Sequence, residues 1–177
     1  MTAALCATDV WIEFNHQWLL YSTPFERASE VNRKLRYMCL VDFNEELLIR
    51  TVGHVDTPKL QVFMRKVAER TRNARTMHVT IPAGTDVTFE IDPVHYVACD
   101  CGDATFPAAH MLTGQINVAP KFGIGSGSNI DAPPCGQGAV SHSDGICLNS
   151  TVWLDGQCIM REGVIVDKEL SALDPTV

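Results

Sequence analysis

No run of residues in this sequence approaches the ~20 consecutive apolar positions that a membrane-spanning helix requires. Basic residues are the minority, 14 against 21 acidic, for a net charge of −7. Nucleic acid and anionic membrane surfaces both demand a basic face, so neither is an expected partner. The one locally basic stretch, positions 65–75, reads as the solvated side of a helix. The first seven residues are small and apolar, but they lack the basic residues that open a secretory leader and run straight into Asp9. No Cys-x-x-Cys occurs, and the seven cysteines are odd in number. The closest pair, Cys99 and Cys101, is too little by itself for a zinc site. These absences point to reduced thiols and a cytoplasmic location. There is no internal repeat.

What is present is the composition of an ordinary folded protein, with 46% apolar and 20% charged residues. A chain of 177 residues fits one domain and can bury a core without staples. Positions 9–14 read as a buried strand through Val10, Trp11, Ile12 and Phe14. Ser22-Thr23-Pro24 starts a helix that should run to about Lys34. Positions 35–41 form a second strand, and Asn44 caps a short helix over 45–51 that Gly53 ends. Thr57-Pro58 repeats the cap-then-proline device. The helix it opens carries Leu60, Phe63, Met64, Val67 and Ala68 on one stripe. Strands at 76–81 and 86–91 flank a Pro82-Ala83-Gly84-Thr85 turn.

This order predicts an α/β fold: an N-terminal strand-helix-strand layer with a partly parallel sheet, then a β-rich, Gly-rich C-terminal lobe. The expected organisation is a single domain, 1–177, with an α/β lobe at 1–93 and a β-rich lobe at 94–177. In the second lobe a short strand is expected at 115–119. Asp155-Gly156 has the composition of a type I′ hairpin turn, positions 163–166 look like one more strand, and the last ten residues read as a frayed tail.

The sharpest chemical feature is His142-Ser143-Asp144. An H-x-D pair in extended backbone puts both side chains on one face, and imidazole with carboxylate suits Zn, Fe or Mn. The alternative is a loop histidine beside a solvated aspartate. Gly123-Ile124-Gly125-Ser126-Gly127 has the glycines of a phosphate cradle but not the P-loop Lys-Ser/Thr; close backbone approach to a neighbouring strand is the other account. Among the remaining histidines, His78 alternates with Met77 and Val79 and reads as structural, while His110 is the better candidate for chemistry. Ser22 lacks a G-x-S-x-G context. Asp86 reads as a strand-edge acid.

Several separated segments together resemble the 2,5-dihydroxypyridine 5,6-dioxygenases and, more distantly, the aminopeptidase T type of metallo-aminopeptidases. They are Ala7-Thr8-Asp9-Val10-Trp11, Leu19-Leu20-Tyr21-Ser22-Thr23-Pro24, Pro82-Ala83-Gly84-Thr85-Asp86 and Gly114-Gln115-Ile116-Asn117-Val118-Ala119-Pro120. Gly127-Ser128-Asn129, His142-Ser143-Asp144 and Trp153-Leu154-Asp155-Gly156 follow in the same order as in the family. The resemblance implies that His142 and Asp144 are two of three ligands in a facial triad on non-haem Fe(II), with Zn or Mn as alternatives. Family members are longer, and this chain lacks a middle section that carries their third ligand. His110 is the first choice to replace it, ahead of Asp131 and Cys135; otherwise a second subunit completes the site or the metal site is degenerate. Tyr21 stands where the family has a substrate-facing histidine, which puts Tyr21 and Ser22 against substrate oxygens. The implied activity is ring opening of a hydroxylated, pyridine-like N-heterocycle by O2, with the small aromatic substrate and O2 as partners. Two rivals are a metallo-aminopeptidase-like hydrolase and a shortened, non-catalytic homologue acting as a binding subunit. Surface left uncovered by the missing sections predicts a homo-oligomer.

Overall fold

The computed structural model describes residues 1–20, 22–82, 84, 86–91, 97–118, 120–126, 150–173 and 175; at 98, 117 and 120–126 the backbone alone is described. The chain forms two compact units that interleave along the sequence. The first comprises Met1–Gln61, Asp100–Gln115 and Pro175–Val177, and the second Val62–Cys99 and Ile116–Asp174.

The first unit is built on three parallel strands in the order β1-β2-β6: β1 (Val10–Glu13), β2 (Arg36–Cys39) and β6 (Ala109–His110). Helices α1 (Thr2–Cys6) and α2 (Thr23–Val31) lie in the same unit. Ser22 caps α2 by accepting the Phe25 N–H at 3.5 Å, and Pro24 sits in the first turn where its missing N–H is harmless. The helix stops at Asn32, short of the expected Lys34. There the Asn32 amide donates to the carbonyls of Leu5 (2.9 Å) and Thr8 (2.7 Å), which turns the chain toward β2. Leu5, Ala28 and Leu35 form the core, with Trp11 and Cys6 packed against it. Tyr37 is edge-on to Trp11 at 5.8 Å and to Phe25 at 4.9 Å.

The expectation of a fully buried β1 is corrected. Trp11 and Glu13 share the covered face, whereas Val10, Ile12 and Phe14 are 42%, 47% and 48% exposed. Side chains alternate with period two, and only one face of this edge strand is packed, so the apolar run points half outward. The residue it buries is an acid, Glu13, 1% exposed.

Asn44 caps α3 (Glu45–Leu48), accepting Leu47 N–H at 2.8 Å, and the helix widens into a π turn over Ile49–Gly53. Helix α4 (Thr57–Asn73) begins as its Thr-Pro signal predicts, but the cap is Asp56, whose Oδ1 accepts Lys59 N–H at 3.1 Å.

The second unit holds a six-stranded sheet in the order β11-β10-β9-β3-β4-β8. Its members are β3 (Thr76–Thr80), β4 (Asp86–Ile91), β8 (Pro120–Ser126), β9 (Thr151–Leu154), β10 (Gln157–Arg161) and β11 (Val164–Ile165), all paired antiparallel. Met77, Val79, Val87, Phe89, Leu154 and Ile159 supply the core, and Phe63 and Val67 of α4 pack on it. Met64 and Ala68 of the predicted stripe are buried too. Asp155 (φ 48°) and Gly156 (φ 79°) form the expected tight hairpin turn, and Glu162 and Gly163 repeat it between β10 and β11. The Asp155 carboxylate folds back to accept the N–H groups of Arg75 and Thr76. Of the glycine-rich run, Gly123 and Gly125 lie in β8, where the backbone pairs with β4.

Three strands escaped the sequence reading. They are β5 (Val97–Asp100), the two-residue β6, and β8, which covers most of the glycine-rich run; β5 pairs with β7 (Gln115–Val118). The frayed-tail expectation is also corrected. Asp167 caps α5 (Lys168–Ser171), and Leu170 is fully buried in the second unit's core, a burial that contributes about 1.5–3 kcal/mol. Among the described residues no helix is long and apolar enough to cross a membrane, and no disulfide joins any two of the five described cysteines.

Candidate functional site

Parallel pairing brings the carboxyl ends of β1, β2 and β6 to one edge of the first unit's sheet. In open α/β sheets that edge is where ligands bind, because loops leave it and helix N-termini face it. Four chemistry-bearing groups gather there. Glu13 ends β1, Ser22 opens α2 after the β1 loop, Asp42 follows β2, and His110 ends β6.

His110 is 2% exposed. Its Nε2–H donates to the Phe106 carbonyl at 2.8 Å, and the ring stands edge-on to Phe106 at 4.8 Å. A carbonyl only accepts, so Nε2 carries a proton and Nδ1 is the ring nitrogen not engaged in this contact. The next residue, Met111, is fixed by its N–H donating to Asp100 Oδ2 at 2.6 Å, and Asp100 Oδ1 accepts Gly102 N–H at 3.0 Å. Asp100 thus holds the exit from β6, an anchoring role that the Cys99-Asp100-Cys101 spacing does not reveal.

Glu13 is the residue that sequence reasoning missed. Its Oε1 accepts the Leu19 N–H and the Asn15 amide, both at 2.7 Å; the same Asn15 amide also reaches the Gln17 carbonyl. The carboxylate therefore clamps the loop that leads to Ser22. Its Oε2 is buried and has no partner among the described residues. Such an orphan costs roughly 1–3 kcal/mol, which a ligand hydrogen bond would offset. The signal in the sequence was a single acid inside the apolar run from Val10 to Phe14. His16 Nδ1 meets Asp42 Oδ1 at 2.6 Å, but the two side chains are 92% and 66% exposed, and such surface pairs contribute little.

Ser22 and His110 thus come to the same edge of the sheet. Tyr21, His142 and Asp144 lie outside the described residues, as do Asp131 and Cys135. Among the described residues no group of three or more His, Cys, Asp or Glu is placed to hold a metal ion. His78, expected to be structural, stacks on Trp153 at 4.6 Å and meets Asp86 Oδ1 at 2.8 Å.

No family model and no curated protein sequence matches the chain. Among solved structures, that of 2,5-dihydroxypyridine dioxygenase from Pseudomonas putida KT2440 is similar, with a TM-score of 0.53 and 15% identity. The likeness covers 96% of this chain and 75% of that one. At this identity it establishes a common fold.

Proposed function

We propose that this protein is a mononuclear, non-haem metal enzyme related to ring-opening dioxygenases, acting on a small hydroxylated N-heterocycle with O2. The observation that carries the reading is the fold shared with 2,5-dihydroxypyridine dioxygenase along nearly the whole chain. The ordered motifs, ending in His142-Ser143-Asp144 and then Leu154-Asp155-Gly156, support it from the sequence. His142, Asp144 and His110 would hold Fe(II), with Zn or Mn as alternatives. Two imidazoles and a carboxylate suit such an ion and leave positions open for a chelating substrate.

His110 fits this part. A ligating histidine donates its other ring N–H to a carbonyl or carboxylate, and here Nε2–H is given to Phe106, so Nδ1 is the nitrogen that would face the metal. When bound, the metal supplies charge transfer between substrate and O2, and the protein supplies orientation and exclusion of water. Tyr21 and Ser22 orient the substrate oxygens. Glu13 holds their loop through Leu19, and its second oxygen is available to accept a hydrogen bond from the substrate. The reading includes a cytoplasmic location and a homo-oligomer, for which the half-exposed Val10, Ile12 and Phe14 offer an apolar face. Sedimentation at micromolar concentration should therefore show a species heavier than 19.5 kDa.

The test is metal analysis of protein purified without air, followed by O2 uptake with 2,5-dihydroxypyridine. About one iron per chain is expected, with O2 consumed only when substrate is present. His142→Ala should lose both the metal and the uptake while its circular dichroism is unchanged. Metal content indifferent to His142 would sink the reading. Two divalent ions with amide hydrolysis would replace it with the aminopeptidase-like one.

A further inference from the structure

The first unit contains a cleft of 310 Å³ along α2, bordered by Tyr37 of β2 and by the residues that enter β6. It is near the small end of the ~300–1,000 Å³ range of ligand sites, with room for a single ring. It is lined by Phe25 and Ser29, one turn apart on α2, and by Asn32 and Arg33 just beyond the end of that helix. The Asn32 side chain is committed to the Leu5 and Thr8 carbonyls. The side chains of Ser29 and Arg33 make no hydrogen bond or ion pair with a described residue. Tyr37 is 1% exposed, and its hydroxyl is buried with no partner among the described residues.

Three side chains with unused hydrogen-bonding capacity therefore line one cleft, Ser29, Arg33 and Tyr37, the last with its hydroxyl buried behind the cleft wall. A buried hydroxyl left unpaired is a rare and costly feature unless something completes it. The other walls are apolar and flat: the Phe25 ring, edge-on to Tyr37, with Pro107 and Ala109. Arg33 brings the cleft's one basic side chain, in a chain of net charge −7. It lies just past the C-cap of α2, where the helix end carries roughly −0.5 charge; the full charge of the guanidinium outweighs it. A guanidinium pairs best with a planar, two-oxygen anion.

We propose that this cleft is a binding site for a small aromatic carboxylate. The ring lies against Phe25, Pro107 and Ala109, the carboxylate meets Arg33 and Ser29, and the Tyr37 hydroxyl donates to the ligand. This site does not depend on the metal-enzyme reading and is tested without it.

The experiment is a titration of the full chain with benzoate, followed by amide chemical shifts, with benzyl alcohol and acetate as uncharged and ringless controls. Benzoate should shift the amides of Ser29, Ala108 and Ala109 and bind at least about ten-fold more tightly than either control. Arg33→Met should weaken benzoate about ten-fold, and Tyr37→Phe several-fold. Because the Tyr37 hydroxyl has no protein partner, Tyr37→Phe should lower affinity without lowering the melting temperature, which a purely structural tyrosine would not do. The proposal is overturned if benzyl alcohol binds as well as benzoate, if the shifts centre elsewhere, or if both variants bind like the parent. Absence of any shift at about 10 mM benzoate, a concentration that detects millimolar binding, would also overturn it.

Discussion

Replacing Asp167 asks how firmly one carboxylate ties α5 into the second unit. Its Oδ1 accepts the N–H groups of Glu169 and Leu170, both at 3.0 Å. Its Oδ2 accepts Arg70 Nη1 at 2.5 Å and Gln157 Nε2 at 3.1 Å. Burial pushes the Asp167 pKa up, but the hydrogen bonds from Arg70, Leu170 and Glu169 and the Arg70 charge outweigh it and hold it below the ordinary carboxylate range. Consistently, hydrogen bonds to Asp167 and Glu169 raise the pKa of Arg70. Asp167→Asn keeps a capping oxygen but removes the charge, whereas Asp167→Ala removes both. Loss of an N-cap costs about 1 kcal/mol. Loss of a hydrogen bond to a charged group costs about 1.5–3 kcal/mol. The lower figure applies, because the Arg70 side chain is 23% exposed and keeps Glu169 at 2.6 Å.

The expected destabilisation is then about 1.5 kcal/mol for Asn and about 2.5 kcal/mol for Ala. In a chain of this size that corresponds to melting temperatures lower by about 3–6 °C and about 5–10 °C. A carboxylate with a depressed folded pKa stabilises fully above its unfolded value, near ~3.9, and the contribution is lost as pH falls through the folded value. Urea unfolding followed by circular dichroism should therefore show the gap between parent and Asn variant at neutral pH, closing on acidification below about pH 3.9. An Asn variant as stable as the parent at pH 7, or a gap that widens in acid, would refute the reasoning.

Two glycines with positive φ should respond differently to alanine. Gly156 (φ 79°) has no atom within 4 Å of an added Cβ, so Gly156→Ala should cost only the left-handed backbone penalty, about 1–2 kcal/mol. Gly102 (φ 72°) would place that Cβ 2.7 Å from the Leu112 carbonyl oxygen, so Gly102→Ala should unfold at clearly lower urea; equal midpoints would contradict this. Glu13→Ala should speed hydrogen exchange at the Leu19 amide, because its acceptor is gone, at a cost of about 2 kcal/mol, whereas Glu13→Gln should leave that amide protected. Unchanged exchange in the alanine variant would mean that Glu13 does not hold the loop.

Local chemistry was legible wherever neighbours in sequence complete it. Ser22 before Pro24, Asn44 before α3, the α4 stripe from Leu60 to Ala68 and the Asp155-Gly156 turn all read directly, because caps, helical stripes and tight turns are satisfied within a few residues. The mixture of a parallel layer and later hairpins followed from the order of such elements. Of the candidate site, His110 was named for its place before Met111, and Ser22 only through the family resemblance. Long-range packing decided the rest. Which side of β1 is covered depends on α1 and α2, so an apolar run came to expose Val10 and Ile12 and to bury Glu13. Whether the last residues fray depends on Arg70, 97 positions away from Asp167 in sequence. That β3 joins β9 and not the layer of β1 and β2, and that Asp100 fixes the exit of His110, are likewise contacts between distant segments. A strand's pattern records that one face is apolar, but only the folded chain determines what that face meets.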